Sequence, residues 1–343
     1  MADPRTGALL LNLGTPDSPS VSDVRRYLRE FLNDPRVIDI PALGRWLLLN
    51  LIILPFRPKQ SAAAYAKIWT PEGSPLMVHS RALTDAVGRE LGPDWVVELA
   101  MRYGQPSIAS ALERLREANV SQLVVLPLFP QYSEAATGSA LAKFAEEMQR
   151  IDYAAPFETI SAFYDAPGFT RSVASAAEEV LREFSADFVL FSYHGLPERH
   201  VTASDPSGAH CLASDDCCAS VPEANPDCYR AQCFATTRAV AKLLDLGPER
   251  HATAFQSRLG RTPWIRPFTD HILVELAERG IRRLAVICPS FTADCLETLE
   301  EIGIRAAEQW RELCDGELKL IPAVNARPDW AHEVAEALRF ARS

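Results

Sequence analysis

Short apolar runs of strand-like composition recur along the whole chain and alternate with segments of helical periodicity. The runs are Ala8–Leu13, Trp95–Met101, Leu123–Leu128, Phe157–Phe163, Phe188–Ser192, Ala252–Phe255, Leu284–Pro289 and Leu318–Ala323. The segments between and after them predict helices at Ser107–Asn119, Ser139–Ile151, Ser172–Phe184, Asp227–Leu243, Thr269–Arg279, Leu296–Leu313 and Trp330–Arg342. Uniformly apolar strands separated by helices are typical of parallel sheets built from βαβ units. The alternation therefore predicts an α/β protein with parallel sheets.

The eight apolar runs fall into two similar sets of four. The first run ends in Asn-Leu-Gly-Thr-Pro (12–16), and the fifth ends in Tyr-His-Gly-Leu-Pro (193–197). Similar turns with glycine and proline follow the second and sixth runs, at 102–106 and 258–263. Self-similarity of this kind indicates an internal duplication. We therefore predict two Rossmann-like, doubly wound domains, each with a four-stranded parallel sheet, that face each other across a cleft.

The length of the chain agrees with two domains, because 343 residues exceed the roughly 100 to 200 residues of one ordinary domain. We expect an N-terminal domain over 7–164, closed by a C-terminal helix over 328–343, and a C-terminal domain over 165–327. Neither a G-x-G-x-x-G turn nor a G-x-x-x-x-G-K-[ST] loop occurs in the sequence. Dinucleotide and phosphate-loop functions therefore lose their main support.

Charge and hydropathy narrow the class of partner. A net charge of −10 argues against a nucleic-acid surface, which needs clustered lysine and arginine, and favours a small-molecule partner. The first residues carry Asp3 and Arg5 rather than a secretory leader pattern, so we expect a cytoplasmic protein. The most apolar segment, 43–56, is shorter than the roughly 20 residues that span a bilayer. It predicts either a buried core helix or an apolar lip that takes up a hydrophobic ligand and rests on the inner face of a membrane.

Two ionisable residues follow strands where α/β folds bind their ligands. His194 comes at the end of the fifth run, before Gly195, and the carboxyl edge of a parallel sheet is the usual ligand site. Glu297 begins the helical segment after the seventh run, and further acids follow at Glu300 and Glu301. A histidine and a carboxylate at such an edge form a proton-transfer pair or a hard-metal site. The alternative is a histidine bonded to main chain and a solvated acidic helix face.

Aromatic and cationic side chains are placed in the predicted loops and segment ends. They are Arg57, Tyr65, Arg102, Tyr103, Tyr132 and Trp264. Aromatic rings stack on flat apolar ligands, and guanidinium groups bind carboxylates in a bidentate manner. The set predicts a site for a flat ligand that carries carboxylates, with packing at the domain interface as the alternative.

Several motifs in order resemble those of ferrochelatase, the enzyme family that inserts ferrous iron into a porphyrin. The resemblance runs from Leu10 to about Asn325 and is carried by Leu-Asn-Leu-Gly-Thr-Pro (11–16), Met-Arg-Tyr (101–103), Pro-Gln-Tyr-Ser (130–133), Ser-Tyr-His-Gly-Leu-Pro (192–197), Gln-Ser-Arg (256–258), Pro-Trp (263–264) and Asp-Cys-Leu-Glu-Thr-Leu (294–299). It implies a chelatase-like fold and insertion of iron into protoporphyrin IX or coproporphyrin III, with release of two protons. Two alternatives are another tetrapyrrole chelatase, for cobalt or sirohydrochlorin, and a non-catalytic haem or iron carrier.

The resemblance also implies roles for single residues. His194 matches the family's invariant histidine, which we expect to accept pyrrole protons and to contact the metal. Glu297 matches its partner acid across the cleft, with Glu300 or Glu301 as a proton or metal path. The residues that fall where the family lines its porphyrin pocket are Arg57, Tyr65, Arg102, Tyr103, Tyr132, Ser257 and Trp264. The apolar segment 43–56 resembles the lip through which porphyrin enters, and Cys295 receives no role.

A cysteine-rich insert spans residues 205–233. It contains Cys211, Cys217, Cys218, Cys228 and Cys233. In a cytoplasmic protein, clustered cysteines favour a metal over disulfides, and no C-x-x-C pair is present to indicate zinc. Some ferrochelatases carry a [2Fe–2S] cluster on such a segment, so the resemblance implies a cluster held by four of the five, with zinc or loose thiols as alternatives. We expect that adjacent Cys217 and Cys218 do not both bind the same iron, and that Cys233 is a weaker candidate.

Overall fold

The computed structural model describes residues 5–260 and 262–342, and strands form at all eight predicted positions. They are β1 (Arg5–Gly14), β2 (Trp95–Tyr103), β3 (Val120–Pro127), β4 (Phe157–Thr159), β5 (Phe188–His194), β6 (His251–Gln256), β7 (Arg283–Ile287) and β8 (Glu317–Leu320). They pair in parallel in two four-stranded sheets, ordered β2-β1-β3-β4 and β6-β5-β7-β8. The predicted α/β fold with two duplicated parallel sheets is confirmed.

Helices connect the strands. The seven predicted helical segments all form helices, whereas no segment was predicted for the helices at Val21–Leu32, Pro75–Leu91 and Glu198–Ala203. The α-helices are α1 (Val21–Leu32), α2 (Ala42–Leu47), α3 (Leu54–Ile68), α4 (Pro75–Leu91), α5 (Ile108–Glu117), α6 (Ser139–Arg150), α7 (Pro167–Phe184), α8 (Glu198–Ala203), α9 (Tyr229–Leu243), α10 (Thr269–Glu278), α11 (Ala307–Cys314) and α12 (Pro328–Arg342). Among the described residues, three π-helical segments are π1 (Leu48–Ile53), π2 (Glu134–Gly138) and π3 (Glu297–Ala306). The helix predicted over 296–313 is therefore a π-helix that continues into an α-helix.

The first structural unit comprises the described residues in 5–129, 134–162 and 325–342. Its central strand β1 is fully buried from Ala8 to Leu11. Leu9 and Leu11 pack with α5 and α6, through residues such as Leu112 and Phe144, in one apolar cluster. The last helix, α12, buries Trp330, Val334 and Leu338 and returns to this unit.

The second unit comprises residues 130–133 and 163–324. Its central strand β5 is buried from Phe188 to Tyr193. Phe188 and Leu190 pack with residues that include Leu284 of β7 and Trp310 of α11. This core fixes the carboxyl end of β5, where the predicted histidine lies.

A glycine recurs at the same place in both sheets for the same steric reason. Gly14 and Gly195 occupy equivalent positions in the two repeated motifs. A Cβ atom on Gly14 would lie 1.8 Å from the Tyr103 carbonyl oxygen, and one on Gly195 would lie 2.7 Å from the Gln256 carbonyl oxygen. Each glycine therefore lets the end of a central strand approach its neighbour, which is physical support for the duplication.

The apolar segment 43–56 forms α2, π1 and the start of α3. Pro58 has no N–H for the carbonyl of Leu54, and that carbonyl instead accepts a bond of 3.3 Å from Arg25 Nε. Most of the large apolar side chains of segment 43–56 are exposed. The exposed fraction is 40 to 76% for Leu43, Trp46, Leu47, Leu51, Ile52 and Phe56. The alternative of a buried core helix is therefore wrong. In the part of the chain that the structure describes, no helix has the length and apolarity to cross a membrane.

Candidate functional site

His194 ends β5, and its hydrogen bonds define its tautomer. Nδ1 lies 2.7 Å from the Gly195 carbonyl oxygen, which can only accept. Nδ1 therefore carries the proton, and Nε2 keeps a lone pair that can accept a proton or bind a metal. The main chain of His194 is also held, because its N–H donates to Ser290 Oγ (3.0 Å) and its carbonyl accepts from Tyr229 Oη (2.8 Å).

Glu297 is the first residue of π3 and is half-buried. Its main-chain carbonyl accepts a 2.9 Å hydrogen bond from Nε2 of Gln256, the last residue of β6. Gln256 is also the ladder partner of His194. Both residues fall within the predicted C-terminal domain, and the structure places both in the second unit, joined through Gln256. That the imidazole and the carboxylate face each other across a cleft stays a prediction.

The acids after Glu297 are engaged rather than spread over a solvated face. Glu300 is buried and lies 2.8 Å from Arg305 Nε. Glu301 accepts from the Ser257 N–H (2.9 Å) and from its hydroxyl (2.6 Å). Glu301, Ser257 and Arg305 line a cavity of about 230 Å³, which has room for an ion with its water but not for a macrocycle.

Trp264 also lies in the second unit, close to the strand end. It forms an isolated bridge with Pro197, and its indole N–H donates to the Leu259 carbonyl (2.9 Å). A Cβ atom on Gly195 would lie 3.3 Å from its ring. Tyr132 lies in the same unit, where its N–H donates to Gln232 Oε1 (2.6 Å).

Arg102 and Tyr103 belong to the first unit and share one buried acid. Asp34 accepts from Arg102 Nη2 (2.5 Å), Tyr103 Oη (2.9 Å) and Ser139 Oγ (2.6 Å). Burial alone would raise the pKa of Asp34, but these donors outweigh it and lower that pKa. Because the Tyr103 ring is fully buried, its contribution is to hold Asp34. Arg57 is exposed on α3.

The insert brings four of its five cysteines into two close pairs. The Sγ atoms of Cys211 and Cys228 lie 3.6 Å apart, and those of Cys217 and Cys218 lie 3.7 Å apart. Two thiolates on one tetrahedral metal ion, with bonds of about 2.3 Å, lie about 3.8 Å apart. The spacing of Cys217 and Cys218 argues against the expectation that these adjacent residues do not both bind the same iron. All eight cysteines of the chain are free thiols in the structure.

The electrostatic surroundings distinguish Cys218 from Cys233. The hydrogen bond with Cys228 and the Arg230 guanidinium, 3.1 Å from Cys218 Sγ, lower the pKa of Cys218 to about 6. Burial raises the pKa of Cys233, which keeps it a neutral thiol. Among the described residues, no group of three or more histidine, cysteine or acidic side chains is arranged to hold a single metal ion. The close thiols thus form two pairs rather than one set of three or more ligands.

A search of sequence families identifies this chain. The ferrochelatase model matches residues 5–341. The chain belongs to the ferrochelatase family. The resemblance seen in the motifs is therefore confirmed, and the family covers nearly the whole length of the sequence.

Relatives and solved structures agree with the family. Ferrochelatase from Coxiella burnetii (strain RSA 493 / Nine Mile phase I) is 54% identical over 97% of this chain and 92% of its own. Ferrochelatase from Legionella pneumophila (strain Paris) is 47% identical over 95% of this chain and 96% of its own. The structure of SirB from Bacillus subtilis with Fe3+ aligns with a TM-score of 0.51 at 12% identity, over 98% of this chain and 95% of that one. The last likeness supports the chelatase-like fold alone.

Three residues of the site received no role from the sequence. Gln256 belongs to the Gln-Ser-Arg motif, but the sequence pattern did not show which residue its side chain contacts. Asp34 is 68 residues from Arg102 in sequence and has no local signal. Arg230 lies two residues after Cys228, and a cation beside a cysteine cluster was the one available sign of its contact.

Proposed function

We propose that this protein inserts ferrous iron into a porphyrin, with release of the two pyrrole protons, as a step of haem biosynthesis. The observation that carries the proposal is the acceptor nitrogen of His194, set by the bond from Nδ1 to Gly195, on a strand end joined by Gln256 to the first residue of π3. The experiment is anaerobic incubation of the purified protein with ferrous iron and porphyrin. Porphyrin fluorescence should disappear as the metalloporphyrin forms, and a protein that only binds the ring would leave free porphyrin recoverable.

The chemistry follows from the charges of the two substrates. A free porphyrin carries two N–H protons, and its flat ring presents no free lone pair to a cation until it is distorted and deprotonated. A site that binds the distorted ring more tightly than the flat one lowers the barrier. Neutral His194 accepts the pyrrole protons through Nε2 and contacts the metal. Glu297 holds iron or relays protons, and Glu300 and Glu301 extend that path.

The porphyrin is held by aromatic faces and cations. The side chains assigned to the porphyrin are Arg57, Tyr65, Arg102, Tyr132, Ser257 and Trp264, and Tyr103 acts through Asp34. Arg102 supports this role because its guanidinium is fixed by Asp34 and thus presents one orientation to a carboxylate. The ring is protoporphyrin IX or coproporphyrin III, and turnover of the two side by side assigns it. The same assay with cobalt and with sirohydrochlorin tests the other chelatase reactions.

The cysteine insert is proposed to hold a [2Fe–2S] cluster. Cys211 and Cys228 would bind one iron and Cys217 and Cys218 the other, which leaves Cys233 outside. The two Sγ separations of 3.6 and 3.7 Å support this grouping. Such a cluster has a strong visible absorption and is assembled only on thiolates. A colourless, iron-free protein prepared without oxygen would exclude it.

We also propose that the exposed apolar segment 43–56 rests on the inner face of a membrane in the cytoplasm. Its large side chains lie on one short stretch of helix, and a patch of this kind marks an interaction site. An apolar product such as haem would leave more readily into a lipid surface than into water.

A further inference from the structure

Gln256 contacts the main chain at both proposed reacting residues, His194 and Glu297. Through its main chain it pairs with His194 in the β5–β6 ladder, and its carbonyl accepts the Gly195 N–H at 2.8 Å. Through its side chain it reaches Glu297, whose carbonyl oxygen lies 2.9 Å from Nε2. In this unit one residue therefore connects the end of β5 with the start of π3.

The orientation of the Gln256 amide is determined by its surroundings. The side chain is buried, with 4% of its surface exposed. Oε1 accepts from the Ser192 hydroxyl at 2.6 Å and faces the Cys288 thiol at 3.7 Å. Burial raises the pKa of Cys288, so that thiol stays protonated and donates. With donors at Oε1 and a carbonyl at Nε2, a flipped amide would lose these bonds.

The next residue extends the same connection along π3. Ser257 has a positive φ of 65°, which turns its N–H and hydroxyl toward Glu301. Glu297 and Glu301 are four residues apart. Residues 256 and 257 thus hold two successive points of π3, one by a main-chain carbonyl and one by a carboxylate.

We propose that Gln256 is the positioning residue that sets the Glu297 carboxylate relative to the His194 imidazole. This inference rests on the proposed iron insertion. The amide is buried and hydrogen-bonded at both ends, so we assign it to act through the two residues that it joins. A displacement of about 1 Å in such a pair is enough to lower a rate by about two orders of magnitude. Its loss should therefore affect the metal step more than porphyrin binding.

The test compares Gln256→Glu and Gln256→Met with the wild-type protein. Gln256→Glu keeps the shape and the bond from Ser192, but its carboxylate cannot donate to the Glu297 carbonyl. Gln256→Met keeps the volume and loses both bonds. Both variants should lower kcat for ferrous iron by at least tenfold and raise the KM for iron, while the porphyrin Kd changes by less than about twofold. Cys288→Ser, which leaves the donor to Glu297 in place, is the matched control and should stay within about twofold of wild type.

A pH profile separates positioning from general damage. When the new carboxyl of Gln256→Glu is protonated, its O–H can again donate to the Glu297 carbonyl. The activity of this variant relative to wild type should therefore rise as the pH is lowered, whereas that of Gln256→Met should stay flat. Parallel profiles for the two variants, or wild-type kcat and KM for iron in both, would overturn the inference. If the wild-type protein itself inserts no iron, the proposed function fails instead.

Discussion

The tautomer of neutral His194 is decided by a main-chain carbonyl, with no charged partner required. The Nδ1 proton is held by the Gly195 carbonyl oxygen, so in the neutral imidazole it is Nε2 that has the free lone pair. A neutral acceptor suits a reaction that must remove two protons from a ring before a cation can enter. The strand-end motif predicted the position of this residue, but its tautomer became apparent only from the structure.

Replacing His194 with alanine should stop the proton transfer while leaving the ring site intact. We expect kcat to fall by about 10²- to 10⁴-fold, the usual contribution of a general base. Porphyrin binding, measured by fluorescence anisotropy, should change little. His332→Ala, at an exposed histidine on α12, is the control and should keep full activity. Unchanged conversion by His194→Ala would remove this residue from the mechanism.

Asp34 should stabilise the first unit in a pH-dependent way. Its folded-state pKa is lowered, so its stabilisation is complete above the unfolded value of about 4 and is lost as the pH falls through the lower folded value. Asp34→Asn should cost about 3 kcal/mol at pH 7, as for a broken buried ion pair, and the difference should shrink below pH 4. Urea unfolding between pH 3 and 7 measures it. Asp17→Asn, at an exposed pair with Arg26, should cost less than about 0.5 kcal/mol at each pH.

Among the elements, π3 shows what periodicity reveals and what it does not. The apolar spacing over 296–313 predicted a helix, and a helix is present. An extra residue per turn changes which side chains share a face, and a short π stretch has too few turns for the spacing to reveal it. The position of the acids was therefore predictable, whereas their partners in β6 and the following loop were not.

The start of α9 connects the cysteine insert with the strand end. Cys228 precedes the helix, Tyr229 donates to the His194 carbonyl, and Arg230 donates to Cys218 Sγ and to the Arg266 carbonyl. The three consecutive residues 228–230 therefore contact the cysteine insert and the end of β5 in turn. A change at the sulfur atoms therefore has a short route to the main chain of His194.

Arg230 should raise the reduction potential of the proposed cluster. A positive N–H donor near a ligand sulfur stabilises the reduced state, which carries more negative charge. Arg230→Met should lower the potential by about 60 mV, a tenfold change for one electron. A redox titration followed by visible absorption measures it at equal cluster content. Arg238→Met is the control, because Arg238 bonds the Cys218 carbonyl and not its sulfur. Equal potentials in all three proteins would contradict the assignment.

At the scale of the whole molecule, the repeat was the most informative part of the sequence. Each set of four runs became a sheet with its first strand between its second and third. Apolar residues and repeated turns are local signals, and they predicted two parallel four-stranded sheets, whereas the strand order came from the structure. A C-terminal helix that closes the first domain was expected from the sequence, whereas the transfer of 130–133 to the second unit depends on packing between distant residues. Such packing leaves little trace in any one stretch of sequence.

Membrane binding by segment 43–56 depends on the whole folded surface, so it is tested on the intact protein. Leu51 and Phe56 expose 61% and 76% of their surface. Burying each in the interface would contribute on the order of 1.5 kcal/mol, so Leu51→Gln with Phe56→Gln should weaken binding to phosphatidylglycerol and phosphatidylethanolamine vesicles by about 100-fold. Sedimentation with vesicles measures it. Phe340→Gln, at an aromatic residue 86% exposed on α12, should bind as wild type does. Equal losses in both variants would mean that apolar exposure in general, and not the segment 43–56, attracts the protein to lipid.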